Sequence, residues 1–360
     1  MNKILHIMSG SSIINIQFIN FLNYFFDNDE HKIVVIGRNN GLYNSHITFV
    51  NKKRQALELL KLMRNSDKVI LHGLFDPHLV FLLSEQPSLL KKSYWVIWGG
   101  DLYYYKFRNN GFKSNIYEFM RRKVIKNVGN IVALVEGDYE LAKKWYKTEA
   151  VYHEAFYYNP NIYENVDETN NAKKRNKKII QIGNSADPSN NHIEILNKLL
   201  KFKDKDIEIV VPLSYGDRKW AKEVIKNGQI LYGDKFKSLD DFLPPQEYQK
   251  ILNSVDVAIF NHDRQQALGN ILTLLHLGKK VFIKNDITTW NSLKKKGLTV
   301  YNTYDIDKLN FEEFIFMDES LRGKNRKMIE KEFSEEKCVK LWKNIFEKWG
   351  NKNEKTYHNR

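Results

Sequence analysis

The sequence predicts an α/β protein, doubly wound around parallel sheets and divided into two units. Three observations predict it. Short apolar runs alternate with segments of helical period in both halves of the chain. Residues 159–178, which include the run NVDETNNAKKRNKK, are polar, charged and poor in large apolar groups, and the alternation restarts beyond them. Within residues 256–286, DVAIFNHDRQQALGNILTLLHLGKKVFIKND, a strand, a polar turn, an apolar helix stopped by Gly278 and a second strand make one βαβ unit. The length agrees, because 360 residues suit two domains better than one. The expected division is a first unit over 1–158, a linker over 159–178, a second unit over 179–334, and a C-terminal helix and tail over 335–360.

In the first half, strands are expected at 3–8, 32–37, 69–72, 94–97 and 131–135. Helices are expected at 14–26, 56–64, 79–83 and 116–126. In the second half the strands are 178–182, 207–212, 229–232, 257–260 and 280–284, and the helices 193–202, 220–227 and 271–277. A last helix over 335–349 puts Val339, Trp342, Ile345, Phe346 and Trp349 on one face. Such a face can dock back across a domain boundary or pack on its own domain. Ligands of doubly wound sheets gather outside the carboxyl ends of the strands. In the first half that rule selects 9–12, 72–76, 98–103 and 136–138.

Composition narrows the partners. A formal net charge of +14 favours an anionic one: nucleic acid, an acidic membrane surface or a phosphorylated substrate. No zinc-finger or RNP-type aromatic pattern supports nucleic acid. The basic, partly aromatic stretch YEFMRRKVIK over 117–126 suits anionic lipid headgroups, although a solvated helix face reads the same way. Cys338 is the single cysteine, so there is no disulfide framework and no cysteine zinc site, as in a reducing compartment. No apolar run reaches the length of a membrane span. Metal spacings such as HExxH, and the GxSxG and Walker A patterns, are missing from the sequence, and no metal is expected.

Candidate chemistry lies at strand ends. The helix of the 256–286 unit starts where its first strand stops, so its free N–H groups face the carboxyl edge of the sheet and can take a phosphate. Arg264 stands in the approach with a fork of donors suited to a diphosphate, and Gln265, Gln266 and Asn270 add neutral polar groups. A plain crossover with a solvated arginine is the competing reading. Gly183-Asn184-Ser185 follows another strand and lets a ligand approach the backbone. In the first half, Trp98-Gly99-Gly100-Asp101 ends a strand, and Asp101 can orient or deprotonate a hydroxyl or else cap a turn. His72 and Asp138 are further candidates for that role.

Four motifs, IWGGDLY (97–103), GNSADPSNNHI (183–193), VPLSYG (211–216) and RQQALGN (264–270), resemble those of the 4-acetamido-4,6-dideoxy-D-galactose transferases, glycosyltransferase family 56. The resemblance covers about residues 70–300, in the same order and at similar spacing. It implies the GT-B architecture, with the acceptor on an N-terminal and the donor on a C-terminal Rossmann-like domain. It implies transfer of an N-acetylated amino-dideoxy sugar, Fuc4NAc, from dTDP to an undecaprenyl-diphosphate-linked oligosaccharide, as in enterobacterial common antigen assembly. The expected location is then peripheral, on the cytoplasmic face of the bacterial inner membrane, with no cofactor beyond the donor.

Carried onto this chain, the resemblance assigns donor binding to Gly183, Asn184, Ser185, His192, Tyr215, Gly216, Arg264, Gln265, Gln266, Gly269, Asn270 and Thr273. Related GT-B enzymes often carry two glutamates two helix turns apart in the donor loop, one of them on a ribose. Here those places hold Gln265 or Gln266 and Thr273, which suits a deoxyribose. Two other readings stand beside this one. One is a GT-B transferase using a UDP-linked sugar in capsule or lipopolysaccharide synthesis. The other is a non-catalytic protein that binds a nucleotide sugar or scaffolds at a membrane.

Overall fold

The computed structural model describes residues 3–10, 12–38, 47–50, 55–157 and 177–347. Most of the expected linker, Trp349 and the tail lie outside them. The chain divides into two compact units. The first holds Met1–Leu134, Tyr139–Tyr158 and Glu335–Arg360, and the second holds Val135–Asp138 and Asn159–Ser334.

In the first unit the strands are β1 (Ile4–Ser9), β2 (His31–Ile36), β3 (Ile47–Val50), β4 (Lys68–His72), β5 (Ser93–Val96), β6 (Asn130–Ala133) and β7 (Val151–Glu154). They form one sheet in the order β3-β2-β1-β4-β5-β6-β7, and every pairing is parallel. Such a sheet is covered on both faces, so its strands are apolar on both sides. Val69, Ile70 and Leu71 are all fully buried, as are Leu5 and Met8. Helix Pro77–Ser84 starts cleanly because Asp76 accepts the Leu79 N–H at 2.7 Å and Pro77 fills a position that needs no donor. Helix Gly100–Phe107, not expected from the sequence, begins after Gly99 at φ 89°.

The C-terminal helix Glu335–Glu347 belongs to this first unit. Trp342 is fully buried and its indole donates to the Phe156 carbonyl at 2.8 Å. Lys68 reaches the end of the same helix, where Nζ donates to the Ile345 and Phe346 carbonyls at 2.6 and 2.7 Å. A cation there completes the unpaired last carbonyls and opposes the negative end of the dipole.

The second unit has β8 (Lys178–Ile182), β9 (Ile207–Pro212), β10 (Phe236–Leu239), β11 (Val257–Phe260), β12 (Lys280–Ile283) and β13 (Tyr301–Asn302). Their order, β10-β9-β8-β11-β12-β13, is also all parallel. Counted within the unit it reads 3-2-1-4-5-6, the doubly wound order whose crevice opens between strands 1 and 4. Those strands are β8 and β11. One expected element is corrected here. Residues 229–232 are the end of helix Arg218–Tyr232, and the strand follows at Phe236–Leu239. Among the described residues no helix is long and apolar enough to cross a membrane.

Candidate functional site

The crevice of the second unit is built by the segments that leave β8, β9 and β11. After β8 the chain turns at Gly183, φ 68°, a left-handed conformation that side chains resist. A methyl group there would lie 2.6 Å from His192 Nε2 and 2.7 Å from Asn190 Oδ1. Asn190 Oδ1 fixes the turn by accepting the Asn184 N–H at 3.1 Å, and it meets His262 Nε2 at 3.0 Å. After β9, Gly216 at φ 115° passes against Ala186, whose N–H donates to the Tyr215 carbonyl at 2.7 Å. The loops after β8 and β9 are thereby held together.

The loop after β11 delivers Arg264. Its Nη2 donates to Asp187 Oδ2 at 2.9 Å and its Nη1 to the Gln265 carbonyl at 3.2 Å. Burial works to raise the Asp187 pKa, but the Ser189 hydroxyl and amide and the Arg264 guanidinium outweigh it and hold the carboxylate below its usual range. Gln266 bridges the loops: its Nε2 donates to Asn184 Oδ1 at 3.3 Å, and its Oε1 accepts from Ser189 Oγ at 3.3 Å. Asn184 Nδ2 donates in turn to the Tyr215 hydroxyl at 2.6 Å.

Ala267, at φ 57° and ψ 21°, precedes helix Leu268–His276 and offers no side-chain cap. The first-turn amides of this helix therefore depend on an outside acceptor. Asn270 lies in that first turn and donates to the Tyr248 hydroxyl at 3.0 Å; Gly269 beside it is buried, and Thr273 follows one turn later, half-buried. His192 Nδ1 accepts from the Trp220 indole at 3.1 Å, which leaves the proton on Nε2. That Nε2 is buried without a hydrogen-bond partner, facing the Gly183 turn. Burial lowers the His192 pKa to about 4, with Asp187 opposing, so the ring is neutral near pH 7.

The structure thus brings Gly183, Asn184, Ser185, His192, Tyr215, Gly216, Arg264, Gln266 and Asn270 together around the ends of β8, β9 and β11. Gln265 offers its carbonyl to Arg264. Sequence reading missed Asp187 as the partner of Arg264, along with Ser189, Asn190, Tyr248 and His262. Asp187-Pro188 is legible as a turn that caps a short helical segment, and Asp187 does accept the Ser189 N–H at 2.9 Å. Its pairing with a residue 77 positions away leaves no local mark.

The candidates from the first half of the sequence are occupied otherwise. Asp101 is 1% exposed, and its two oxygens accept four N–H groups. Oδ2 takes the Leu74 amide at 3.1 Å and the Trp95 indole at 2.7 Å; Oδ1 takes the Trp98 and Leu102 amides, both at 3.0 Å. A carboxylate offers about four acceptor sites, so none remains for a substrate proton. The expectation of an accessible carboxylate is not met: Asp101 fastens the end of β5 to the turn after β4. Burial drives its pKa up, against the opposing pull of Trp95, Arg121 and the Trp98 and Leu74 amides.

His72 lies in a chain of rings. His31 Nδ1 meets His6 Nε2 at 2.9 Å, His6 Nδ1 meets His72 Nε2 at 3.0 Å, and His72 Nδ1 meets the Tyr157 hydroxyl at 2.7 Å. Burial lowers the His72 pKa to about 3. Asp138, 3% exposed, accepts from Thr288 Oγ1 at 2.7 Å. Arg121, read from the sequence as part of a basic face, points inward instead, fully buried between the Leu74 carbonyl and Glu118.

Two parallel sheets of Rossmann order, one bearing a polar crevice at its switch point, are the architecture of the GT-B glycosyltransferases, and the solved structures agree. A glycosyltransferase from Rickettsia africae matches with a TM-score of 0.66 at 13% identity, over 96% of this chain and 97% of that one. Anabaena HepE, solved with UDP and glucose, matches at 0.67 and 9%, over 96% and 98%. The α,α-trehalose 6-phosphate synthase of Burkholderia multivorans matches at 0.67 and 8%, over 96% and 97%. At such identities the likeness establishes the fold. The family is set by sequence: residues 1–348 match the family model of the 4-alpha-L-fucosyltransferases, glycosyl transferase group 56, and the chain belongs to that family.

Proposed function

We propose that this glycosyltransferase moves Fuc4NAc from a dTDP donor to a polyprenyl-diphosphate-linked oligosaccharide, working as a peripheral protein on the cytoplasmic face of the inner membrane. The observation that carries the reading is Arg264 set beside the uncapped helix Leu268–His276, at the switch point of the second unit. Guanidinium and first-turn amides receive the charge that grows on the departing diphosphate, which is the main electrostatic demand of the reaction and calls for no metal. The buried His192 Nε2–H, facing the Gly183 turn, is a further donor for a phosphate or sugar oxygen. Asn184, Ser185 and Tyr215 stand by the sugar. Gln265 or Gln266 with Thr273, in place of glutamates, supports a deoxyribose.

In the first unit Asp101 acts as a positioning residue for the loops after β4 and β5. The test is a transfer assay with dTDP- and UDP-linked donors and a polyprenyl-diphosphate glycan. We expect turnover with dTDP-Fuc4NAc, and its loss in Arg264→Ala without unfolding. Turnover with UDP-linked donors alone would replace this reading with its competitor. That competitor is favoured by one observation, that HepE, of matching fold and length, is solved with UDP and glucose. Binding of dTDP with no transfer to any acceptor would make the chain a binding protein.

A further inference from the structure

Two adjacent helices of the first unit leave a group of large apolar side chains in solvent. On helix Phe112–Asn127, Phe112, Ile116 and Phe119 recur at i, i+4 and i+7, which is a single stripe. Their exposures are 80%, 44% and 57%. The opposite face of the same helix, with Glu118, Arg121, Val124 and Ile125, is the one that packs inward. Helix Pro77–Ser84 lies alongside, fixed by a 2.9 Å ion pair from Glu85 to Lys123 and by Ser84 Oγ against Met120 Sδ at 3.3 Å. Phe81 precedes Glu85 by one turn, as Phe119 precedes Lys123, so both rings border the seam between the helices; Phe81 is 60% exposed.

The stripe is flanked by cations. Lys113, Arg122, Lys123 and Lys126 are all exposed on the helix that carries it. Glu118, the one acidic residue of that helix, and Glu85 are already paired with arginine or lysine. We propose that this face seats on an anionic lipid surface, with Phe81, Phe112, Ile116 and Phe119 entering the boundary of the acyl chains and the lysines meeting the headgroups. A helix lying in the plane of the interface has this make-up. A second copy of the chain fits less well, because a two-fold contact would set these cations against themselves. The inference deepens the proposed function and rests on it only for the presence of a lipid-borne acceptor.

The experiment is co-sedimentation of the full chain with vesicles of phosphatidylcholine, with and without phosphatidylglycerol. We expect binding to the anionic vesicles that falls as salt is raised. Combined Phe112→Ser, Ile116→Ser and Phe119→Ser should lower partitioning about tenfold or more, with folding and dTDP binding unchanged. Lys113→Gln with Lys126→Gln should weaken binding to the anionic vesicles alone. Undiminished binding by the apolar variant, or no binding by the unaltered chain, overturns the proposal. So does a dimer in solution that the apolar variant splits. Loss of transfer with every donor while vesicle binding persists would instead count against the proposed function and leave this surface standing.

Discussion

Gly183 shows how far the crevice depends on one missing methyl group. Its φ of 68° and the 2.6 Å and 2.7 Å distances awaiting a Cβ mean that alanine must strain the backbone and displace His192 and Asn190 together. Gly183→Ala should cost about 2–4 kcal/mol of stability. Denaturant unfolding measures it, and a change under half a kcal/mol would mean that the turn is not fixed as described. Asp187 makes a different point. In this structure its carboxylate holds the guanidinium proposed above to engage the diphosphate. Asp187→Asn keeps the shape and removes the charge, so Arg264 should exchange partners more readily and dTDP should bind more tightly, by several-fold. Weaker binding would show that Asp187 orients Arg264 for the ligand instead of competing with it.

Among the elements, helix Glu335–Glu347 is the most exposed to a single test. Trp342 fills a pocket beside Phe18, Tyr157 and Phe346, with ring centroids 4.9, 6.2 and 5.5 Å away. Trp342→Ala should destabilise the first unit by about 3–5 kcal/mol, read as an earlier unfolding transition; an unshifted transition would mean that the helix is not docked. This helix was legible in advance because its apolar residues keep helical period over its whole length. Strand β11 was legible too, as a buried apolar run closed by Asp256 and Asn261. Strand β3, four residues of which three are half-buried, gives too short a pattern to read. The misread strand at 229–232 has a local cause. Asn227-Gly228 reads as a turn pair, yet Gly228 lies mid-helix because the Phe236 ring occupies the space of its side chain. The helix ends five residues later, at Gly233 with φ 54°. The loops after β8, β9 and β11 were legible as strand-end turns because glycine and amide residues gather there. Asp101 misled because a carboxylate beside paired glycines reads alike whether it faces a substrate or, as here, four backbone and indole donors.

At the scale of the molecule, both units bury neutral histidines. Burial lowers the pKa of His72 and His262 to about 3 and of His31 and His192 to about 4, and drives that of His6 well down. Unfolded, each would titrate near 6.5. Between that value and the folded pKa the unfolded chain binds more protons, so stability is full above about pH 7 and falls as acid is added. For the fully buried His72, His192 and His262 the cost is about 1.4 kcal/mol per pH unit for each ring. Melting temperature against pH should drop steeply below pH 6; a flat profile to pH 4.5 would mean that the rings are hydrated.

The central claim is that the donor's diphosphate is received by Arg264 and the amino end of helix Leu268–His276. Calorimetric titration of dTDP into the unaltered chain and into Arg264→Ala tests it most directly. The account predicts saturable binding that weakens thirtyfold or more, about 2 kcal/mol, in the variant, with the free variant still folded. Equal affinity in the two proteins would contradict it.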